Sequence, residues 1–144
     1  MLYRRKYPFI LYFIKKKDSF KNIKELLIYT GIISGIFIAM LPWTSSDIFY
    51  YMGVGELNSV YGQNPYYVTM KDYGNTNAEV LKSDPIMEQG YNNYWAKTTV
   101  VYGPIAQIIF STLTKISFKN IDICIIIFKL VNILMHLLNC YLIY

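Results

Sequence analysis

The stretch "IDICIIIFKLVNILMHLLNCYLIY" (residues 121–144) decides the fold class, because 24 mostly apolar residues run on with one internal lysine, Lys129. An α-helix rises about 1.5 Å per residue, so about 20 apolar residues cross the hydrocarbon core of a bilayer. The whole chain of 144 residues is 54% hydrophobic, with a mean hydropathy of +0.27, which is more apolar than an ordinary soluble domain. The stretch is therefore predicted to be a transmembrane helix.

Two further apolar runs extend this prediction. Residues 26–43, "LLIYTGIISGIFIAMLPW", contain no charge in 18 positions, and residues 98–114, "TTVVYGPIAQIIFSTLT", contain none in 17. The second run includes Gly103 and Pro104, so a re-entrant segment is the alternative to a short span. We predict an all-α membrane protein with about three transmembrane helices and a long external loop that contains a juxtamembrane helix. The chain is expected to be a fragment of a larger helical bundle.

The positions of lysine and arginine predict the orientation of these helices. Residues 1–24 carry eight of the 14 basic residues, whereas residues 44–97 carry three lysines and six acidic residues. By the positive-inside rule, the N-terminus is cytoplasmic in a multi-pass protein of the cell membrane. The predicted layout is a cytoplasmic basic segment, a first span, an external loop, a second span, a cytoplasmic link and a third span, in the order 1–25, 26–43, 44–97, 98–114, 115–120 and 121–144.

The external loop opens with "SSDIFYYMGVGELNSVYGQNPYY" (residues 45–67), in which Asp47 is an acidic residue only four positions after the end of the first predicted span. At about 100° per residue, a helix places Asp47 on one face with Tyr51, whereas Glu56 points about 180° away. Any acid or base chemistry on this helix therefore depends on Asp47 alone. The alternative is a capping box, in which Thr44 caps the helix and the Asp47 carboxylate accepts a hydrogen bond from the Thr44 amide. The two interpretations do not exclude each other.

Polar side chains form one stripe on the predicted third span, because Lys129, Asn132, His136 and Asn139 recur at steps of three and four residues. Such groups are costly against lipid, so the stripe is expected to face a bundle interior. It either joins helices through amide hydrogen bonds or lines a site for an anionic group, with Lys129 or His136 as the cation. Lys97, before the second span, is likewise either a cation for a phosphate or an interfacial anchor.

Several classes of chemistry have no support in the sequence. There is no glycine-rich phosphate loop, no nucleophile elbow and no zinc-type spacing between the single histidine and the two cysteines, Cys124 and Cys140. The net charge of +5 comes mainly from basic residues that cluster beside a span, and no aromatic platform for stacking bases accompanies them, so the charge does not indicate nucleic-acid binding. No metal site and no cofactor are predicted, although the dependence on a divalent metal stays open.

Three motifs follow the first span in a fixed order: "SSDIFYY" (45–51), "YGQNPYY" (61–67) and "VVYGP" (100–104). Together with the basic N-terminus, they resemble the N-terminal region of the GT-C type membrane glycosyltransferases, over residues 26–115. The branch they resemble most is the bacterial one that depends on polyprenol-phosphate-mannose.

This resemblance implies a function and a set of site residues. A sugar, mannose in this branch, would pass from a polyprenyl-phosphate donor in the membrane to an extracytoplasmic glycan or lipid acceptor, with inversion at the anomeric carbon. Asp47 matches the acidic residue of the first loop and would be the general base. Tyr66 and Tyr67 match the tyrosines after the Asn-Pro turn and would contact a sugar or the membrane. Lys97, and after it His136, is the candidate cation for the phosphate.

Two other functions remain open. A small, non-catalytic membrane scaffold or partner-binding protein would need Asp47 only as a helix cap. A transporter or channel subunit would use the polar stripe, but the sequence lacks paired broken helices. Even as a transferase, this part of the bundle is expected to be inactive alone.

Overall fold

The computed structural model describes residues 22–40 and 45–143, and the regular elements in these ranges are all helical. Most of the predicted cytoplasmic segment 1–25 lies outside the described residues, as do residues 41–44 and Tyr144. The α-helices are α1 (Ile23–Ala39), α2 (Asp47–Ser59), α3 (Met70–Thr76), α4 (Ala78–Ser83), α5 (Pro85–Tyr91), α6 (Pro104–Lys115) and α7 (Ile121–Ile143), with a short 3₁₀ turn, Tyr94–Lys97, before α6. The predicted all-α class is confirmed for these residues.

Local capping explains where several of the helices begin. The Asn22 side chain accepts a hydrogen bond from the Glu25 amide at 3.0 Å at the start of α1. At the start of α5, Asp84 accepts bonds from the amides of Ile86 and Met87, and Pro85 occupies the first turn, where its missing N–H costs nothing.

Helices α1 and α7 form an antiparallel pair. Leu26, near the start of α1, lies beside His136 and Ile143, near the end of α7. At the other end of α1, the Lys129 ammonium donates hydrogen bonds to the backbone carbonyls of Phe37 and Ile38, each at 3.2 Å, and to that of Met40. A cation is favourable there, because the carbonyls at a helix C-terminus carry partial negative charge.

Within the described ranges, α7 is the one helix that is both long enough and apolar enough to cross a membrane. Helix α1 has 17 described helical residues and ends at Ala39, before the predicted limit of its span at residue 43. The prediction of three transmembrane helices is therefore not confirmed.

Helix α6 is shorter than the span predicted over residues 98–114. It has 12 residues and begins at Pro104, because a residue before proline is disfavoured in the helical conformation. Its length of about 18 Å is less than the hydrocarbon core of about 30 Å. It runs parallel to α2: the Gln107 side chain donates to the Val54 carbonyl at 3.0 Å, and the Ser111 hydroxyl donates to the Asn58 side chain at 2.9 Å.

Helix α2 lies at the centre of the packed body, with all its residues from Met52 to Leu57 buried. One apolar cluster joins it to α3, α5 and the segment before α6, through Tyr50, Val54, Leu57, Met70, Met87, Ala96 and Val100. A second cluster joins it to α5, α6 and the first half of α7, through Met52, Ile86, Leu113, Cys124, Ile125 and Phe128. Residues 45–128 therefore pack around a shared core.

Candidate functional site

A cleft of about 220 Å³ opens between the first turn of α2 and the segment that leads into α6. Its walls are mostly aromatic, and its one carboxylate comes from the first residue of α2. The lining residues are Asp47, Tyr50, Tyr51, Trp95, Thr98, Val101 and Tyr102.

Asp47 is half-buried and stands at the first position of α2. The predicted capping box, with Asp47 at the third helical position, is wrong: the cap is Ser46, which makes no side-chain capping bond. The Asp47 amide instead donates to the Ser45 hydroxyl at 3.1 Å. Among the described residues, no side chain or amide donates a hydrogen bond to the Asp47 carboxylate, so its oxygens are available to a molecule in the cleft.

The hydroxyls of Tyr51, one turn after Asp47 on α2, and of Tyr102 add polar groups to the cleft lining. They lie 3.1 Å apart, and the Tyr51 ring stacks on Phe110 with ring centres 4.9 Å apart. The hydrogen bond between the Tyr51 and Tyr102 hydroxyls, together with burial and the Asp47 charge, raises the pKa of Tyr51 to about 12. Burial also raises the pKa of Tyr50. At neutral pH both side chains are uncharged hydroxyls that can donate or accept hydrogen bonds.

The Asn-Pro turn holds the segment 100–102, which contributes to the cleft lining, through two hydrogen bonds. The Tyr66 hydroxyl donates to the Tyr102 carbonyl at 2.8 Å, and the Pro65 carbonyl accepts a bond from the Val100 amide at 3.0 Å. Tyr67 makes no such contact with the cleft walls and is 83% exposed. Of the two predicted tyrosines, Tyr66 therefore positions a cleft wall, whereas Tyr67 projects from the surface.

The two predicted cations lie in different places. Lys97 is exposed and ends the 3₁₀ turn whose Trp95 lines the cleft, but Lys97 is not itself a lining residue. His136 lies far along α7, beside Leu26, and its ring nitrogen is 3.9 Å from the Cys140 sulfur. The structure does not bring His136 to Asp47. In the same stripe, Lys129 bonds the last carbonyls of α1 and, with Asp122, lines a mostly apolar pocket of about 270 Å³ away from Asp47.

Sequence reasoning missed the remaining cleft walls, Trp95, Thr98 and Tyr50. The motif "VVYGP" (100–104) stands out in the sequence, but no periodicity connects it with residues 94–98 or with α2. Their meeting depends on the parallel packing of α6 on α2, which is a tertiary feature.

A buried cluster of charged and polar groups at the far end of α2 was also missed. Asp84 is completely buried, accepts a hydrogen bond from the Tyr61 hydroxyl at 2.6 Å, and lies 3.6 Å from the Lys119 ammonium. With the two amide bonds at the start of α5, its carboxylate is well satisfied. The sequence "SDP" (83–85) is typical of a helix start and could have indicated the capping role, but not these distant partners.

Glu56 lies beside this cluster and is completely buried, and neither of its carboxyl oxygens accepts a hydrogen bond from the described residues. Burial, together with the neighbouring Asp84, raises the pKa of Glu56 to about 8. Glu56 is therefore neutral at pH 7 and lies away from the cleft, as its helical phase relative to Asp47 predicts.

Over the described residues, these features define a helical protein with one helix of membrane-spanning length and a carboxylate in an aromatic cleft. The chain belongs to the MptA_B family, since residues 36–144 match the family model described as the N-terminal domain of alpha-(1->6)-mannopyranosyltransferase. The predicted resemblance to the N-terminal region of a mannosyltransferase is thereby confirmed, and every cleft residue falls within the matched range. No curated protein and no solved structure matches the chain.

In the described ranges, no group of three or more histidine, cysteine, aspartate or glutamate side chains is arranged to hold a metal ion.

Proposed function

We propose that the chain forms the N-terminal part of a GT-C type integral membrane glycosyltransferase. This enzyme transfers mannose from a polyprenyl-phosphate donor to an extracytoplasmic glycan or lipid acceptor. The observation that carries the proposal is the Asp47 carboxylate, which has no hydrogen-bond donor among the described residues and faces an aromatic cleft within the matched family domain.

Asp47 is the general base in this proposal. As an acceptor hydroxyl attacks the anomeric carbon, its proton passes to the Asp47 carboxylate. The bond between the sugar and the phosphate breaks, and the polyprenyl phosphate leaves with the electron pair, which inverts the anomeric configuration. The hydroxyls of Tyr51 and Tyr102 are placed to hydrogen-bond sugar hydroxyls on the same side of the cleft.

Lys97 is the cation proposed for the leaving phosphate. It is exposed and lies in the same 3₁₀ turn as Trp95, which lines the cleft. A positive charge there offsets the negative charge that develops on the phosphate in the transition state. His136, which shares a pocket with Leu26 of α1, is not included in the proposed site.

The test is the Asp47→Asn variant, expressed from the native gene and assayed in membranes for transfer from a polyprenyl-phosphate-mannose donor. Asparagine keeps the size of the side chain but cannot take the proton, so we expect transfer to fall at least about 100-fold. Glu79→Gln is the matched control, because Glu79 pairs with Lys82 on the exposed face of α4, away from the cleft residues. Its transfer rate should equal that of the unaltered protein.

Normal transfer by a folded Asp47→Asn protein would reject the assignment of the base. If neither the variant nor the unaltered protein transfers mannose, the alternative of a non-catalytic membrane scaffold is favoured.

A further inference from the structure

Large, exposed apolar side chains lie in the cleft lining, at Trp95 and Val101, and close to these residues in the chain, at Tyr94 and Ile105. Tyr94 is 82% exposed, Val101 85% and Ile105 75%, and Trp95 beside them is 46% exposed. We call these four residues the cleft rim. A cluster of exposed apolar side chains of this size is unfavourable in water and indicates a contact surface.

The packing connects the cleft rim to the end of α1 through a series of contacts. The Tyr102 hydroxyl, next to the rim, lies 3.1 Å from that of Tyr51 in the first turns of α2. Phe49 of the same turns packs against the cluster that contains Phe128. The next residue of α7, Lys129, bonds the last carbonyls of α1. The rim is thus connected, contact by contact, to the end of the apolar helix α1.

The far end of α6 stays on the same packed body. The Lys119 ammonium, just after α6, lies 3.6 Å from the Asp84 carboxylate and donates to the Tyr61 hydroxyl at 3.0 Å. Positive φ angles at Phe118 (52°) and Lys119 turn the chain back toward α7 at this point. If α6 crossed the bilayer, a hydrocarbon core of about 30 Å would separate Lys119 from Asp84 and Tyr61.

The chemistry of the rim fits a lipid surface. Tryptophan and tyrosine favour the boundary between membrane and water, since their rings are apolar and their N–H and O–H groups reach water. Lys97, in the same turn as Tyr94 and Trp95, adds a positive charge that anionic headgroups attract.

We propose that the cleft rim is a membrane-contact surface: residues 45–120 form one body on one side of the bilayer and rest on it through the rim. Helix α6 is part of that body and does not cross. The cleft then opens at the lipid surface. This placement depends on packing and surface chemistry and is independent of the proposed transfer reaction.

The side of the membrane is tested on the unaltered protein with an amine reagent that does not cross bilayers, followed by peptide mass spectrometry. Lys82, Lys97 and Lys115 are all exposed, and Lys24 is exposed at the opposite end of α1. In intact spheroplasts we expect Lys115 to react together with Lys82, and Lys24 to react only after permeabilisation. If Lys115 instead reacts together with Lys24, α6 crosses the membrane and the proposal fails.

The contact with lipid is tested by fluorescence in vesicles of mixed zwitterionic and anionic lipid. The chain has two tryptophans, so Trp43→Phe leaves Trp95 as the only one. We expect brominated lipids to quench Trp95 several-fold more than they quench a tryptophan placed at Lys82 in a Trp43→Phe, Trp95→Phe background. Lys82 lies on α4, near the opposite end of α2, so this control tryptophan should respond to aqueous iodide.

Two results would overturn the lipid contact. Quenching of Trp95 by iodide would show that the rim faces water. Resistance to both quenchers would show that protein covers the rim. Neither measurement involves transfer, so failure here is separate from failure of the proposed function.

Discussion

Asp47 and Glu56 are carboxylic acids on the same helix, and their surroundings give them different chemistry. Asp47 is half-buried in a cleft, whereas Glu56 is completely buried in the core beside Asp84. A charged carboxylate without hydrogen bonds is very costly in such a place, so Glu56 keeps its proton instead. Glu56 is thus a core residue, and Asp47, the candidate base, is the more accessible of the two carboxyl groups.

The raised pKa of Glu56 predicts how stability depends on pH. Its pKa is about 8 in the folded state, against an ordinary value of 4.5. Between these values the folded state keeps a proton that the unfolded state has released, so rising pH favours unfolding. The contribution of Glu56 to the free energy of unfolding should fall by at most about 1.4 kcal/mol per pH unit across this window. This contribution to the free energy of unfolding should not change with pH below pH 4.5 or above about pH 8.

Thermal unfolding of the protein in detergent, measured from pH 5 to pH 9, checks this prediction. Glu56→Gln replaces the titratable carboxyl group with an amide of similar size, so the decline in stability attributed to Glu56 should disappear. Glu79→Gln, on the exposed face of α4, should leave the decline unchanged. An equal decline in the unaltered protein and in Glu56→Gln would mean that another group is responsible.

At the scale of elements, the close packing of α2 on α6 forms the cleft. Gly55 lies where the two helices approach most closely: a Cβ atom there would be 2.6 Å from the Phe110 carbonyl oxygen and 2.7 Å from the Thr114 hydroxyl. Helix backbones cannot yield without moving the whole element, so Gly55→Ala should destabilise the fold by about 1–3 kcal/mol. The free energy of unfolding in detergent is the measurement.

Gly31 of α1 supplies the matched control, since a Cβ atom there would meet nothing within 4 Å. Alanine is favoured over glycine inside a helix, so Gly31→Ala should be neutral or stabilising by up to about 1 kcal/mol. Similar effects of both substitutions would argue against a close contact at Gly55.

At the scale of the whole molecule, Lys129 connects α7 to the end of α1. Replacing it with methionine keeps most of the side-chain volume but leaves the carbonyls of Phe37 and Ile38 without their donor. We expect a loss of about 1–2 kcal/mol and faster amide hydrogen exchange in α1, with little change in α3 to α5.

Lys129→Arg should largely restore protection of α1, because it keeps the positive charge and the donors. Lys82→Met, on the exposed face of α4, should leave exchange in α1 unchanged. Unaltered exchange of α1 in Lys129→Met would contradict the connecting role.

The sequence predicted correctly those features that depend on local pattern. The run 121–144 predicted a membrane-length helix because apolar composition and length suffice for that conclusion. The order of "SSDIFYY", "YGQNPYY" and "VVYGP" predicted a mannosyltransferase N-terminal region, which the family match confirms. The phase of α2 separated Asp47 from Glu56, since helical geometry fixes which residues share a face.

Composition and periodicity by themselves predicted the helical class and a helix of membrane-spanning length, and the resemblance carried by the loop motifs predicted Asp47 as the candidate base. Only the tertiary structure decided which residues surround that base, because Trp95 and Tyr102 reach Asp47 through packing between elements distant in the chain. It likewise decided that Lys129 caps α1 and that Lys119 meets the buried Asp84. Such contacts leave no local pattern in the sequence, since each depends on how whole helices approach one another.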